Sequence, residues 1–393
     1  MTEIKNLKKA AERVLKAIKN KEKIILYGDA DLDGVASVII LKESIRDLGG
    51  EIAAIYFPDR ETEGYGLTEK GLGYLKSFSP ALLITIDLGI GNFREVKLAK
   101  KMGFEVIIID HHEILEKLPQ ASIIVDPKQK DDKYYFKELA TAGIAFKLSL
   151  LILGKKASEN KINDLLELVA IATIADIMSQ EAENKIMIKK GVESLEDTWR
   201  PGLSALLNER SLQDSKSLLA KISKIISILN VRDVENRLPA SYRLLTVSSQ
   251  EKAEKIIEKL IEKSLQRKRR IQEITDEIEE RLSNKTEKPL VFEGDYGWDL
   301  VLLGPVASII SQRYKKPTFL FRQDLKESQG TARTPRGIDL VKAMRGCSKL
   351  LETYGGHPPA AGFRAKNENL EEFGECLARY FLRSYKNRKI LKH

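Results

Sequence analysis

Cysteine is nearly absent: Cys347 and Cys376 are the only two in 393 residues. That is too few for a disulfide framework, so reduced thiols in a cytoplasmic setting are expected. Long apolar runs are missing too. The best stretch, residues 148–153, falls far short of the roughly 18 residues a membrane span needs, so no membrane role is expected. The opening Met1-Thr-Glu-Ile-Lys-Asn-Leu-Lys-Lys-Ala is charged and amphipathic, without a signal peptide's apolar core. Low-complexity tracts are also lacking. Histidine is scarce at four, so where it falls is informative. What the chain has in quantity is charge, 31% of residues with a net +9, over a 42% hydrophobic background. That balance favours a polyanionic partner. An ion-rich, cysteine-poor composition is also the thermophile pattern. The length allows two or three domains.

Tyr27-Gly28-Asp29-Ala30-Asp31-Leu32-Asp33-Gly34 is the most distinctive stretch. An apolar run ends in three carboxylates at alternate positions, and a helical pattern follows. A strand that feeds a helix through an acidic turn presents its acids at the carboxyl edge of a sheet, where α/β folds bind ligands. An EF-hand begins similarly, but position 12 would be Ile40 in place of a bidentate Glu, and the preceding flank reads as strand.

Residues 5–20 pattern as a helix. Strand-like runs at 24–27, 52–56, 82–86, 106–109 and 123–125 alternate with helical segments at 35–48, 67–77 and 92–101. Continuous apolar strands separated by helices mean a parallel sheet covered on both faces. Asp87, Asp110 and Asp126 each end one of these strands. From 138 to 188 the pattern is helical. The stretch 164–176 is apolar nearly all round, so Asp176 at its end must be paired or bound to a metal. Residues 191–248 have no clear period and are read as a helical connector. Apolar residues then recur at three-to-four spacing through 249–284, predicting a helix of about 50 Å. A strut joining two lobes fits it better than a coiled-coil arm. A second globular pattern follows, with strands expected at 289–292, 300–303 and 318–321, a helix at 306–313, and glycine-bearing segments at 330–334 and 355–362. The basic tail, 383–393, is expected to fray or to bind something.

Three of the four histidines lie in unusual contexts. Adjacent His111-His112 follow a buried strand and Asp110, and His357 sits in a glycine-rich segment. Side chains of consecutive residues at a strand end diverge, so one imidazole could bind a metal while the other faces a ligand. Mixed imidazole and carboxylate donors suit Mn²⁺, Zn²⁺ or Fe²⁺ better than Ca²⁺.

Asp29-Ala-Asp-Leu-Asp-Gly34, Asp87, Asp110-His-His112 and Asp176, in that order, resemble the DHH phosphoesterase superfamily. Pro58-Asp-Arg-Glu-Thr-Glu-Gly-Tyr-Gly-Leu67 and Thr141-Ala-Gly-Ile-Ala-Phe-Lys147 resemble segments of its RecJ branch. Gly355-Gly-His-Pro-Pro-Ala-Ala-Gly362 resembles the signature of the DHH-associated C-terminal domain. The resemblance spans about residues 20–365. It implies that Asp31, Asp33, Asp87, His111 and Asp176 hold two metal ions, Mn²⁺ or alternatively Mg²⁺, with Asp87 bridging. It gives His112 the scissile phosphate or the second metal, and leaves Asp29 and Asp110 to orient the ligands. Arg60 would contact DNA; Thr331 and Arg333 would hold a terminal 5′ phosphate, while the Gly355-Gly356 backbone would let a phosphate approach closely and His357 would bind it. Asn230 and Arg237 correspond loosely to a further Asn/Arg motif of the branch. The sequence departs from the family pattern at Tyr27, often histidine, and at Asp299, also often histidine. Nothing resembling the OB-fold of bacterial RecJ follows, which suggests the short archaeal type.

The expected architecture is α/β: a parallel-sheet DHH domain at 1–190, a connector at 191–288 containing the long helix 249–284, and a smaller α/β DHH-associated domain at 289–393. The expected function is metal-dependent exonuclease action on single-stranded DNA, 5′ to 3′, in repair or replication, with RNA the other candidate polymer. A helicase or replication-complex protein is the expected partner. The alternatives are an oligonucleotide or cyclic-dinucleotide phosphodiesterase, which activity against chain length would distinguish, and a replisome scaffold without a complete ligand set.

Overall fold

The computed structural model describes residues 3–60, 62–114, 117–283, 288–335 and 337–390, with His357 and residues 384–390 described by backbone alone. The chain divides into two compact units, Met1–Glu262 and Lys263–His393.

In the first unit, helix α1 (Leu7–Lys19) leads into β1 (Ile24–Gly28), α2 (Leu32–Asp47), β2 (Ile52–Tyr56), α3 (Glu69–Leu75), β3 (Ala81–Ile86), α4 (Phe93–Lys101), β4 (Phe104–Ile109) and β5 (Ile123–Val125). The five strands form one parallel sheet in the order β2-β1-β3-β4-β5. Side chains alternate across it. Leu26, Ile84, Ile107 and Val125 face the larger core with α1 and α2. Ile25, Leu83, Ile108 and Ile124 face a smaller core with α3 and α4. Burial on both faces explains why the strands are apolar throughout instead of alternating.

Helices α5 (Thr141–Leu153), α6 (Glu159–Ala175), α7 (Ala182–Leu195), α8 (Pro201–Asn208) and α9 (Leu218–Leu229) follow. Next come a short hairpin, β6 (Val234–Glu235) and β7 (Leu238–Pro239), helix α10 (Ala240–Leu245) and the long α11 (Gln250–Ser283). The hairpin turns through Asn236 and Arg237, both at positive φ, as a two-residue turn requires. Leu206, Ile222, Leu244 and Leu260 share the larger core with β1 and α2. The stretch read as a connector therefore packs into the first unit. Arg200, 2% exposed, anchors it by a two-bond pair with Glu43 at 2.6 and 2.9 Å.

The second unit contains β8 (Val291–Asp295), α12 (Leu300–Tyr314), β9 (Thr318–Gln323), β10 (Glu327–Arg333), α13 (Leu340–Gly346), β11 (Thr353–His357), β12 (Ala360–Lys366) and α14 (Leu370–Ile390). Its sheet order is β11-β12-β10-β9-β8, antiparallel except for β8 with β9. Ile274 and Ile278 of α11 pack with Trp298 and α12 in one core, and an aromatic core around Phe319, Phe363 and Phe373 includes α13 and α14.

Two expectations change. Residues 300–303 open α12 and are not a strand, because four apolar residues fit either period; Pro305 lies inside the helix. Cys347 and Cys376 are bonded, with Cα atoms 6.1 Å apart. A cysteine count excludes a framework, but not one bridge between segments that packing brings together, so it does not fix the compartment. Among the described residues no helix is long and apolar enough to cross a membrane. The basic tail falls partly outside the description, as residues 391–393 and the side chains of 384–390 lie beyond it.

Candidate metal centre

The strand-end acids come together because the sheet ladder continues one step into them. The Asp29 N–H donates to the Ile86 carbonyl, that of Asp87 to Ile109, and that of Asp110 to Val125. The acids therefore stand side by side at the carboxyl edge, next to the reversal of strand order between β1 and β3.

Asp31 caps α2, accepting from the Gly34 N–H at 3.0 Å. Gly34 is a close approach: a Cβ there would meet the Asp29 carbonyl oxygen at 2.4 Å. Asp33 in the first turn is buried and accepts the N–H groups of Thr141 and Ala142, both at 2.8 Å. The Thr141 hydroxyl donates to Asp87 at 2.8 Å. The N-terminus of α5 thus aims two acids, as an electropositive helix end should. Asp176 arrives from the far end of α6 as its C-cap.

His111 is the common neighbour. Its Nδ1 lies 3.1 Å from the Leu139 carbonyl; a carbonyl only accepts, so Nδ1 carries the proton and Nε2 offers its lone pair. Nε2 lies 3.5 Å from Asp87, 3.5 Å from Asp176 and 4.0 Å from Asp33. Burial, aided by the charge on His112, holds its pKa down to about 4, so the ring is neutral and able to ligate. Asp110 works beneath it, accepting from the backbone of Ile90, His111 and His112 and from the His112 ring at 2.7 Å. That bond raises His112 to about 9, against the opposing effect of burial. Burial lifts Asp110, but His112, the Ile90 N–H and His111 together leave it below the usual carboxylate value. The two imidazoles do not diverge: their centroids are 4.6 Å apart in edge contact.

Among the described residues, three groups place ligand atoms within 4.8 Å of one another: Asp87, His111 and His112; Asp33, His111 and Asp176; Asp29, Asp31 and Asp87. Asp87 and His111 are each shared. Burial first, and then neighbouring acids, push Asp33 to about 8, Asp176 to about 6 and Asp87 far above the ordinary carboxylate value. Buried carboxylates converging on an imidazole lone pair call for a cation. Their oxygens and nitrogen suit a divalent transition ion.

Arg60 lies across the edge, its guanidinium 2.6 Å from Asp29 and 2.8 Å from Asp31. Burial raises the Asp31 pKa, but Arg60, the Gly34 N–H and a bond from Asp87 together bring it below the ordinary value. Beside it is a cavity of about 350 Å³ lined by Asp31, Arg60, Asn230, Arg232 and Ser241. Arg237, across the hairpin, sits 4.6 Å above the Tyr74 ring. Tyr27 takes no part in the cluster. It points to the opposite face of the sheet, packs on Tyr56, and its hydroxyl accepts the Thr68 N–H at 3.2 Å. Asp126 is buried and 0% exposed, with Oδ2 unbonded among the described residues. Burial raises it to about 7.

In the second unit, Thr331 and Arg333 lie on β10. Arg333 donates to the Thr331 hydroxyl at 2.7 Å and to the Ala332 carbonyl. Arg333 is half-buried, which lowers its pKa, and no carboxylate pairs with it among the described residues. Gly355 and Gly356 pair with Gly362 and Ala361 across β11 and β12. Gly356 has φ +132°, and a Cβ there would meet the Ala360 carbonyl at 2.5 Å. The His357 side chain lies outside the described residues. Asp299 precedes α12 without a side-chain cap bond.

Sequence reasoning did not assign roles to Thr141, Ala142, Ile90 or Leu139. Backbone groups leave no residue signature, and the sequence marks the Thr141–Lys147 segment without giving a role to its first residues.

The DHH family N-terminal domain matches residues 23–173 and the DHHA1 domain matches 287–382. The single-stranded-DNA-specific exonuclease RecJ of Bacillus subtilis is 34% identical over 94% of this chain. The same-named protein of Thermus thermophilus is 29% identical over 92%. The chain spans about half the length of these relatives, 47% and 52%. A crystal structure of exonuclease RecJ bound to manganese is similar with TM-score 0.81 and 26% identity, covering 97% of this chain and 95% of that one. CDC45 from Entamoeba histolytica, at TM-score 0.51 and 14% identity over 96% of this chain and 99% of that one, shares the fold.

Proposed function

The chain belongs to the DHH family, RecJ-like branch, and from that premise we propose that it is a metal-dependent exonuclease hydrolysing phosphodiester bonds of single-stranded DNA from the 5′ end. The observation that carries the reading is the set of three overlapping Asp/His groups sharing Asp87 and His111 at one sheet edge. Two Mn²⁺ or Mg²⁺ ions, held by Asp31, Asp33, Asp87, His111 and Asp176 with Asp87 common to both, would supply a water acidic enough to attack at neutral pH and a counter-charge for the leaving oxygen.

The protein's own groups do the rest. Thr141 and Ala142 fix the Asp33 and Asp87 carboxylates, and the Leu139 carbonyl fixes the His111 tautomer. Such supporting bonds hold ligands in orientation before substrate arrives. His112, kept protonated by Asp110 and 55% exposed, has its Nε2–H left to donate to a phosphate oxygen. Arg60 at the same edge would meet the backbone of the strand. In the second unit, Thr331 and Arg333 would hold a terminal 5′ phosphate, with the Gly355-Gly356 backbone and His357. The names of the relatives favour DNA over RNA as the polymer.

Digestion of 5′- and 3′-labelled single strands with Mn²⁺, Mg²⁺ and EDTA tests this. The 5′ label should be released first, in a metal-dependent manner; strands left intact in both metals overturn the reading. A helicase or replication-complex protein is proposed as the partner that delivers long strands, and its addition should lengthen the run of digestion per strand.

A further inference from the structure

Helix α6 ends at the cluster, and its end is unusual. Asp176 is the C-cap; the Ile177 N–H bonds to the Ile174 carbonyl and the Met178 N–H to that of Thr173, both at 3.2 Å. This pair of bonds is a Schellman motif, whose residue after the cap is left-handed and usually glycine. Here that residue is Ile177, at φ +57°. A β-branched side chain in this region is an outlier, because its Cβ crowds the backbone. Packing does not compensate, since Ile177 is 89% exposed, and among the described large apolar residues only Leu325 is more so. Glycine at 177 would relieve the backbone and sacrifice no buried contact. What isoleucine adds is an apolar surface next to Asp176, whose carboxylate lies 3.5 Å from His111. A conformational outlier with no structural return, at the rim of a chemical site, is grounds for a functional assignment.

We propose that Ile177 is a substrate-contacting residue that packs on the sugar or base of the nucleotide whose phosphate enters the cluster. This rests on the reading of the protein as a nuclease. The phosphates of a strand have charged partners at this edge in Arg60 and His112; its bases and sugars carry the apolar faces that an isoleucine can cover. Such a contact is indifferent to base identity, as a sequence-tolerant enzyme needs.

The test uses the 393-residue chain and a short phosphorothioate-linked single strand, which resists cleavage, with Mn²⁺. Affinity of wild type, Ile177→Gly and Ile177→Leu is read by fluorescence anisotropy, alongside the thermal midpoint and steady-state kinetics on the ordinary diester. Ile177→Gly should melt higher than wild type, because the strain is gone, yet bind about tenfold more weakly, with the kinetic loss mainly in KM. Ile177→Leu should stay within about threefold of wild type. A higher midpoint with affinity unchanged for Ile177→Gly overturns the contact. Wild-type protein that binds in this Ile177-dependent way but cuts nothing in Mn²⁺ or Mg²⁺ supports the contact and overturns the nuclease reading, so the two fail separately.

Discussion

Asp87 stands where several constraints meet: it ends the central strand at φ +64°, is 2% exposed, accepts from Thr141 and belongs to two of the three ligand groups. If it holds two cations, Asp87→Ala should lower hydrolysis by about 10³-fold or more. Folding should survive, because the substitution removes a buried carboxyl that burial and its acidic neighbours disfavour; activity within tenfold of wild type in Mn²⁺ would sink the assignment. Glu167 offers a different test, remote from the candidate ligands. Burial raises its pKa to about 7, despite hydroxyl donors from Thr198 and Ser194 and an Arg200 guanidinium 3.7 Å away. Arg200 is committed to Glu43, so it stabilises the Glu167 anion only in part. The folded state therefore keeps a proton that the unfolded chain gives up near the ordinary glutamate value of 4.5, so this residue's stabilisation is present below that pH and is lost as pH rises through about 7. Glu167→Gln should gain on wild type by about 1–3 kcal/mol between pH 5 and pH 8.5 in denaturant titrations. A variant that instead loses ground at high pH would mean that the ion pair with Arg200 prevails. Nothing in the sequence singled out Glu167; its surroundings come from packing between α6 and the segment around Arg200.

At the scale of elements, the parallel sheet was legible because strands buried on both faces must be apolar throughout, and each was bounded by turn residues or an acid. The same logic placed Asp87 and Asp110 at strand ends, but could not show that the α5 N-terminus would point at them. Leu300 to Leu303 was misread because a short apolar run carries no period of its own. The 191–248 stretch looked unpatterned because it holds several separate helices and a hairpin packed on an existing core, with breaks between them that interrupt any common period. The α5 N-terminus leads to a prediction. Thr141→Val keeps the shape and the N–H to Asp33 but deletes the hydroxyl to Asp87. Supporting bonds of this kind are worth about 10–100-fold in metal affinity. Calorimetric titration of Mn²⁺ into EDTA-stripped protein should show a loss of that size; unchanged affinity would mean that the Thr141 hydroxyl does not position a ligand.

For the whole molecule, net charge and local charge have opposite signs. The chain is +9, which draws a polyanion towards it. The cluster itself gathers Asp29, Asp31, Asp33, Asp87, Asp110 and Asp176, with Asp126 buried nearby, against Arg60 and a protonated His112. Without a cation this edge repels the phosphate it is proposed to cut; divalent ions would reverse the local sign without touching the lysines and arginines elsewhere. Two quantities should then separate in a binding experiment on a cleavage-resistant single strand. The slope of log affinity against log salt counts the phosphates neutralised by surface cations, and should be nearly the same in Mn²⁺ and in EDTA. Affinity at any one ionic strength should be at least about tenfold higher with Mn²⁺, because the acidic edge then attracts the strand. Adding Asp87→Ala to the series should erase most of that Mn²⁺ gain while leaving the slope alone. Equal affinity of the wild-type protein in Mn²⁺ and EDTA would mean that the strand is held wholly away from the acidic edge, and the proposed catalytic pose would have to be abandoned.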